Sequence, residues 1–266
     1  MAKKVKTKNE NPSLIERQKQ LSQLSCELNL TAIRDNIGLL IDTAQQQELS
    51  YSDFALSLLE LENNTRQERR LIRNRKQSKL PMGYLSLDDF DFSLRPKLES
   101  RVVKELLNCR WVQDQGRSII CVGRPGLGKT HVLDALGLAA CRLGYTVLKV
   151  DTAEMLDQLQ ASLVDGSYKL TFRRYNKPSI LYMDEFGYEP FDAKATKHLF
   201  RLVSARYRTG SIMLAANTGF KQWKNFFPSE AQAVATVDRL IDRSTILRFT
   251  GKSMRQPKVI SGAETD

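Results

Sequence analysis

Residues Ile119-Ile120-Cys121-Val122-Gly123-Arg124-Pro125-Gly126-Leu127-Gly128-Lys129-Thr130-His131 constrain this chain more than any other stretch. An apolar run of strand type ends at Gly123, a loop with three glycines and one proline follows, and Val132 to Arg142 reads as a helix starting near Lys129. G-x-x-x-x-G-K-T between a strand and a helix is the setting of a phosphate-binding loop. Gly126 and Gly128 allow positive φ and close approach of an anion. Successive N–H groups then converge on a phosphate, helped by the positive end of the helix. Lys129 is a point charge for the outer phosphate oxygens, and the Thr130 hydroxyl is a hard oxygen ligand for Mg²⁺. Gly123 to His131 is therefore the candidate nucleotide site.

A length of 266 residues suits one α/β domain plus a smaller module. No apolar run reaches the ~20 residues that span a bilayer, and no apolar h-region follows the Lys-rich N-terminus, so a cytoplasmic protein is expected. Cys26, Cys109, Cys121 and Cys141 show no C-x-x-C pairing, and only His131 and His198 are present. These counts favour reduced cysteines and argue against a His-based metal site. The net charge of +11 attracts polyanions, nucleic acid foremost.

Residues 1–12, with Lys3, Lys4, Lys6 and Lys8, read as a disordered basic tail. From Ser13 to about Asn63 apolar residues recur at helical spacing, which predicts three short amphipathic helices. Leu14, Leu21, Leu24 and Leu28 form one stripe, Ile33, Ile37, Leu40, Ile41 and Ala44 a second, and Phe54, Leu58, Leu59 and Leu61 a third, in a helix that Ser50-Tyr51-Ser52 can cap. These stripes are expected to make the module's core. The following polar helix puts Arg66, Arg69, Arg70, Arg73 and Lys76 on one face, a line of cations matched to a line of phosphates or simply to solvent. Leu80-Pro81-Met82-Gly83 breaks it, and the domain boundary is expected there. A second cluster, Lys169, Arg173, Arg174 and Lys177, interleaves with Tyr168, Phe172 and Tyr175. Aromatics among cations suit nucleic acid, and equally suit a helix with core aromatics.

Beyond residue 81 helices alternate with strands at 119–123, 144–150, 179–183, 211–216 and 245–249. A helix is expected at 102–112, another at 153–163 capped by Thr152, one at 193–208 and a short one at 237–243. That alternation means a parallel sheet covered on both faces, with ligands at the carboxyl ends of its strands. Gly123, Asp184 and Asn217 all fall at such ends. Asp184 is placed to hold the Mg²⁺ shell, and Glu185 to orient and polarise an attacking water. Asn217, on a strand expected between the first and third, offers an amide to that water or to the γ-phosphate. Phosphoryl transfer also wants a second cation, often lent by a neighbouring subunit, for which spacing leaves Arg239 and Arg243 equal.

Taken together, Leu87-Asp88-Asp89-Phe90-Asp91-Phe92, Gly123 to His131, Met183-Asp184-Glu185-Phe186-Gly187, Asn217 with Trp223 and Phe226-Phe227, Asp238-Arg239-Leu240, and Gly251-Lys252-Ser253-Met254-Arg255 resemble the IstB-like insertion-sequence transposition helper ATPases. That family sits in the same AAA+ branch as the DnaC-type helicase loaders. The resemblance spans about Leu30 to Arg255. It implies a Walker B pair at Asp184 and Glu185, sensor 1 at Asn217, and the arginine finger at Arg239. It also implies ATP with Mg²⁺, homo-oligomers with ATP at subunit interfaces, binding and bending of duplex DNA, and recruitment of a partner transposase. Two departures are Glu185, where a second Asp is common, and Ala216 before Asn217, where Thr or Ser is common.

The expected architecture is α/β. A small all-helical DNA- or partner-binding domain (13–80) precedes an AAA+ P-loop core with a five-stranded parallel sheet (81–256), without a C-terminal lid, and a flexible tail (257–266) follows. The expected function is an ATP-dependent transposition helper. A DnaC-like helicase loader that prefers single strands is the alternative, and a nucleotide-gated DNA adaptor without turnover is a third reading.

Overall fold

The computed structural model describes residues 14–83, 86–88, 90–114 and 116–254. The two expected tails, Asp89 and Arg255 lie outside these residues. The chain divides into two compact units, residues 1–70 and 71–266. The division falls ten residues before the expected break at Leu80-Pro81, inside a helix.

The first unit contains α1 (Leu14–Glu27), α2 (Thr31–Gln46) and the start of α3 (Tyr51–Gln77). Left-handed Asn29 and Glu48 turn the chain between them. Ser50 caps α3 through its hydroxyl, which accepts from the Asp53 N–H. Of the three expected stripes, that of α2 is buried at Ile33 and Ile37, whereas Leu21 and Leu24 of α1, and Leu28 just after it, are exposed. The inward face of α1 instead carries Ser25, with Ser22 half-buried beside it. The third helix and the basic helix are one element of 27 residues, because nothing between Asn63 and Gln77 interrupts helical geometry.

Two residues stitch the first unit together. Leu30, at the N-cap of α2, makes no side-chain cap bond. Buried Glu62 of α3 replaces it: its Oε2 accepts the N–H groups of Ala32 at 2.9 Å and Ile33 at 3.3 Å. Arg66 donates to Oε1 of Glu62 at 2.7 Å and to the Asn29 carbonyl at 2.7 Å. Burial by itself would raise the Glu62 carboxyl. The hydrogen bonds from Arg66, Ile33 and Ala32 outweigh it and hold the group below its ordinary value.

In the second unit the end of α3 is fixed by Asn74, which donates to the carbonyls of Gly144 and Tyr145, both at 3.2 Å. Short helices α4 (Ser100–Leu106) and α5 (Arg110–Gln113) follow. They replace the single expected helix at 102–112, because buried Cys109 is left-handed. Five strands then form one parallel sheet in the order β2-β3-β4-β1-β5. They are β1 (Ser118–Val122), β2 (Val147–Asp151), β3 (Ile180–Phe186), β4 (Ser211–Ala216) and β5 (Ser244–Arg248). Between them run α6 (Lys129–Arg142), α7 (Thr152–Ala161), α8 (Tyr168–Asn176), α9 (Ala193–Arg206), α10 (Phe220–Trp223) and α11 (Glu230–Ile241). Asp151 caps α7 and not the expected Thr152, its carboxylate accepting the Glu154 N–H at 3.0 Å. The helix before the last strand begins seven residues earlier than the expected 237, at a Ser229 cap. Among the described residues no helix follows β5.

Strand alternation builds two cores. Ile119, Cys121, Tyr182 and Met213 face one, with α6 behind them. Ile120, Val122, Met183 and Leu214 face the other, with α7, α9 and α11. Burial on both faces is why these strands read as unbroken apolar runs. Arg206, almost fully buried, closes the far end of the sheet by donating to the carbonyls of Tyr175, Asn176, Pro178, Ser179 and Ser211. Burial lowers its pKa to about 10.

Candidate functional site

A cavity of about 530 Å³ opens at the carboxyl ends of β1, β3 and β4. Its floor is the loop after β1, where Gly126 and Gly128 take φ of 76° and 86°. Gly128 is the N-cap of α6 and offers no side-chain cap, so the first-turn N–H groups are available to a ligand. A Cβ on Gly128 would lie 2.5 Å from the Phe90 ring. Of the residues expected here, Pro125 to His131 line the cavity. Gly123 and Arg124 do not; their carbonyls accept from Lys129 Nζ at 2.6 and 2.9 Å. Nζ also donates to Oδ1 of Asn217 at 2.9 Å. His131 Nε2 lies 3.1 Å from the Ser86 carbonyl oxygen.

The two acids reach the cavity by a defect in β3. Its pairing with β4 slips between Met183 and Phe186, so three steps on β3 match two on β4. Glu185 takes φ of 53° within this bulge. In a regular strand Asp184 and Glu185 would point to opposite faces. With the extra residue both line the same cavity. Oδ1 of Asp184 accepts the Glu185 N–H at 3.1 Å and lies 3.5 Å from the Thr130 hydroxyl. Thr152 donates to the Asp184 carbonyl at 2.6 Å.

The donor set suits magnesium. Thr130 and Asp184 present hard oxygens side by side at the phosphate loop, and such an ion takes one or two protein oxygens plus phosphate oxygens and water. Among the described residues no cluster of three or more His, Cys, Asp or Glu offers an all-protein cage.

Sequence reasoning missed two residues here. Arg95, 1% exposed, donates to the carbonyls of Leu127 at 2.8 Å, Leu94 at 2.6 Å and Lys252 at 2.9 Å. Beside it the Met254 N–H donates to the Gly126 carbonyl at 2.8 Å. The glycine-rich loop after β1 is thus clamped to the segment after β5, and nothing in the run Leu94-Arg95-Pro96 announces it. Lys149 bonds Asp134 and Asp184; a lone cation inside Val147-Leu148-Lys149-Val150 was the available signal.

Arg239 stands apart from this cavity. It is half-buried on α11, its Nη1 donates to the Ala235 carbonyl at 2.7 Å, and its guanidinium lies 4.9 Å over the Phe200 ring. Arg243 is exposed, at φ of 59°.

The expected nucleic-acid residues divide. Arg66 is committed to Glu62 and Asn29, and Arg69 to the Thr31 hydroxyl. Arg70, Arg73 and Lys76 are exposed, as are Lys169, Arg173, Arg174 and Lys177. Arg174 and Lys177 share a groove of about 440 Å³ with Lys79, Asn74 and Gln77; the cations of α3 do not line it. The interleaved aromatics are structural. Tyr175 is buried, while Tyr168 and Phe172 stack at 5.9 Å and pack on the core.

The family model of the IstB-like ATP binding proteins matches residues 23–261. The chain belongs to this family. An ATP-binding protein of insertion sequence IS21 from Pseudomonas aeruginosa is 31% identical over 89% of this chain and 88% of its own length. A family relative from a Mycobacterium tuberculosis insertion sequence, also described as ATP-binding, is 32% identical over 87% of this chain and 92% of its own. Among solved structures, DnaI superposes with a TM-score of 0.52 at 18% identity, over 64% of this chain and 90% of that one. AMPPCP-bound DnaA from Aquifex aeolicus gives 0.53 at 20%, over 65% and 51%. These likenesses establish the AAA+ fold of this family member.

Proposed function

We propose that the chain is an ATP-hydrolysing, DNA-binding helper of insertion-sequence transposition. The observation that carries this reading is the meeting of Lys129, Thr130, Asp184, Glu185 and Asn217 in one cavity at three strand ends. Loop amides and Lys129 bind the phosphates. Thr130 and Asp184 would hold Mg²⁺, which neutralises charge on the phosphate oxygens when bound. Glu185 orients and polarises the attacking water, and the Asn217 amide fixes that water or a γ-phosphate oxygen. Arg239 lies outside its own cavity and would serve the site of a neighbouring copy, so hydrolysis would be completed in a homo-oligomer.

The net charge of +11 and the exposed cations of α3 and α8 support duplex DNA as a partner. Family membership supports a transposase as the protein that the ATP-bound assembly recruits and stimulates. Phosphate release measured with and without duplex DNA tests this, alongside micrographs of the ATP-bound assembly. DNA-stimulated release that is lost in Lys129→Ala is expected. No nucleotide uptake at millimolar ATP would overturn the reading, and stimulation by single strands alone would transfer it to helicase loading.

A further inference from the structure

We infer that Lys149 is a positioning residue for Asp184, held in place by Asp134, and that it sets how strongly this site couples magnesium to nucleotide binding. The inference rests on reading Thr130 and Asp184 as the magnesium-holding oxygens.

Lys149 sits in the middle of β2, its side chain only 18% exposed. Its N–H donates to the Ser78 carbonyl at 2.8 Å, which fixes the strand edge. Its Nζ lies 2.8 Å from Oδ1 of Asp134 on α6 and 3.4 Å from Oδ2 of Asp184 on β3. The same ammonium lies 4.9 Å over the Tyr182 ring. The Tyr182 hydroxyl donates to Oδ2 of Asp184 at 3.4 Å.

The two oxygens of Asp184 thus have separate duties. Oδ2 faces Lys149 and Tyr182; Oδ1 faces Thr130 and the Glu185 N–H. A carboxylate free to rotate would offer either oxygen, or neither, to a metal beside Thr130. Lys149 cannot swing away without leaving Asp134, which is buried, with an unpaired charge. Asp134 therefore acts through Lys149, and Lys149 acts through Asp184. Two carboxylates and one ammonium also leave the cluster one negative charge, which favours a divalent cation without a stack of bare acids.

The test is the affinity of a fluorescent ATP analogue with Mg²⁺ and with EDTA. It compares wild type, Lys149→Met, Lys149→Arg and the charge-neutral pair Asp134→Asn/Lys149→Met. The pair removes one charge of each sign and leaves no unpaired carboxylate at position 134, the more buried of the two, so it remains informative where Lys149→Met alone does not fold. The expected result is a roughly tenfold or larger fall in the gain that Mg²⁺ gives, in both Met variants, with affinity in EDTA within about threefold of wild type. Lys149→Arg should recover part of the gain. An unchanged gain in both Met variants, with wild type showing one, overturns the role of Lys149 alone. A wild type without any gain overturns the magnesium reading beneath it.

Discussion

Nζ of Lys129 lies 2.9 Å from Oδ1 of Asn217, a contact that joins the end of β4 to the first turn of α6. The two residues are 88 positions apart, and they meet because β4 is the neighbour of β1 in the sheet. The lysine proposed to bind phosphate and the amide proposed to fix the attacking water or a γ-phosphate oxygen therefore start from one place.

That geometry separates binding from chemistry. Asn217→Ala and Glu185→Gln should each lower the hydrolysis rate by about 10²-fold or more, as removal of a transition-state partner does. ATP affinity should stay near wild type in both. Lys129→Ala should lose affinity itself. Equilibrium titration beside single-turnover hydrolysis distinguishes the two classes.

Glu62 predicts a pH-dependent stability of the helical unit. Glu62→Ala removes the cap of α2 and should cost about 1–2 kcal/mol, as loss of a helix cap does. The folded carboxyl is held below its ordinary 4.5, so its contribution is full above that pH. It is lost as pH falls through the lower folded value. Amide exchange at Ala32 and Ile33 should be faster in the variant at neutral pH and converge with wild type in acid.

Gly187 is a packing limit under the acid pair. It has φ of 70°, and a Cβ there would lie 2.0 Å from the Phe226 ring. Phe226 is buried and meets Phe186 edge-on at 6.3 Å. Gly187→Ala combines left-handed strain with overpacking, and should cost roughly 2–4 kcal/mol. Thermal unfolding gives the size. Hydrolysis should suffer more than ATP binding, because the affected turn follows Glu185.

The division of the basic helix is measurable. Arg70→Ala, Arg73→Ala and Lys76→Ala should each weaken duplex binding at every sequence and reduce the salt slope by about one. Arg66→Ala should act mainly through the stability of the helical unit, because its guanidinium clasps Glu62 and Asn29. Fluorescence anisotropy over a salt series, with amide exchange as control, separates these behaviours.

Legibility in the sequence followed the range of the interactions. β1, β3 and β4 were readable as apolar runs because both their faces are buried, and β4 matched its expected limits of Ser211 and Ala216. The loop of Gly123 to Thr130 and the acids at the end of β3 were readable because local spacing fixes them. The face of α1 was not: which side is buried depends on α2, and the small Ser25 won over three leucines. Arg66 looked like one more cation in a row, since its partner Asn29 is 37 positions away. Spacing left Tyr168 and Phe172 equally suited to nucleic acid and to the core, and the fold packs both, partly buried, against the core. Arg95 and Lys149 gained meaning only when the fold brought their partners near.

The slipped register at the end of β3 makes the acid pair a matter of counting. Exchanging one carboxylate for another leaves the phase of the chain intact, so natural variation in side-chain length is tolerable there. Only Asp184 and Glu185 lie between Met183 and Phe186, so removing a single residue there would restore an even ladder only by taking one of the two acids away. A one-residue insertion or deletion at this point would therefore disrupt the acid pair where a carboxylate exchange would not.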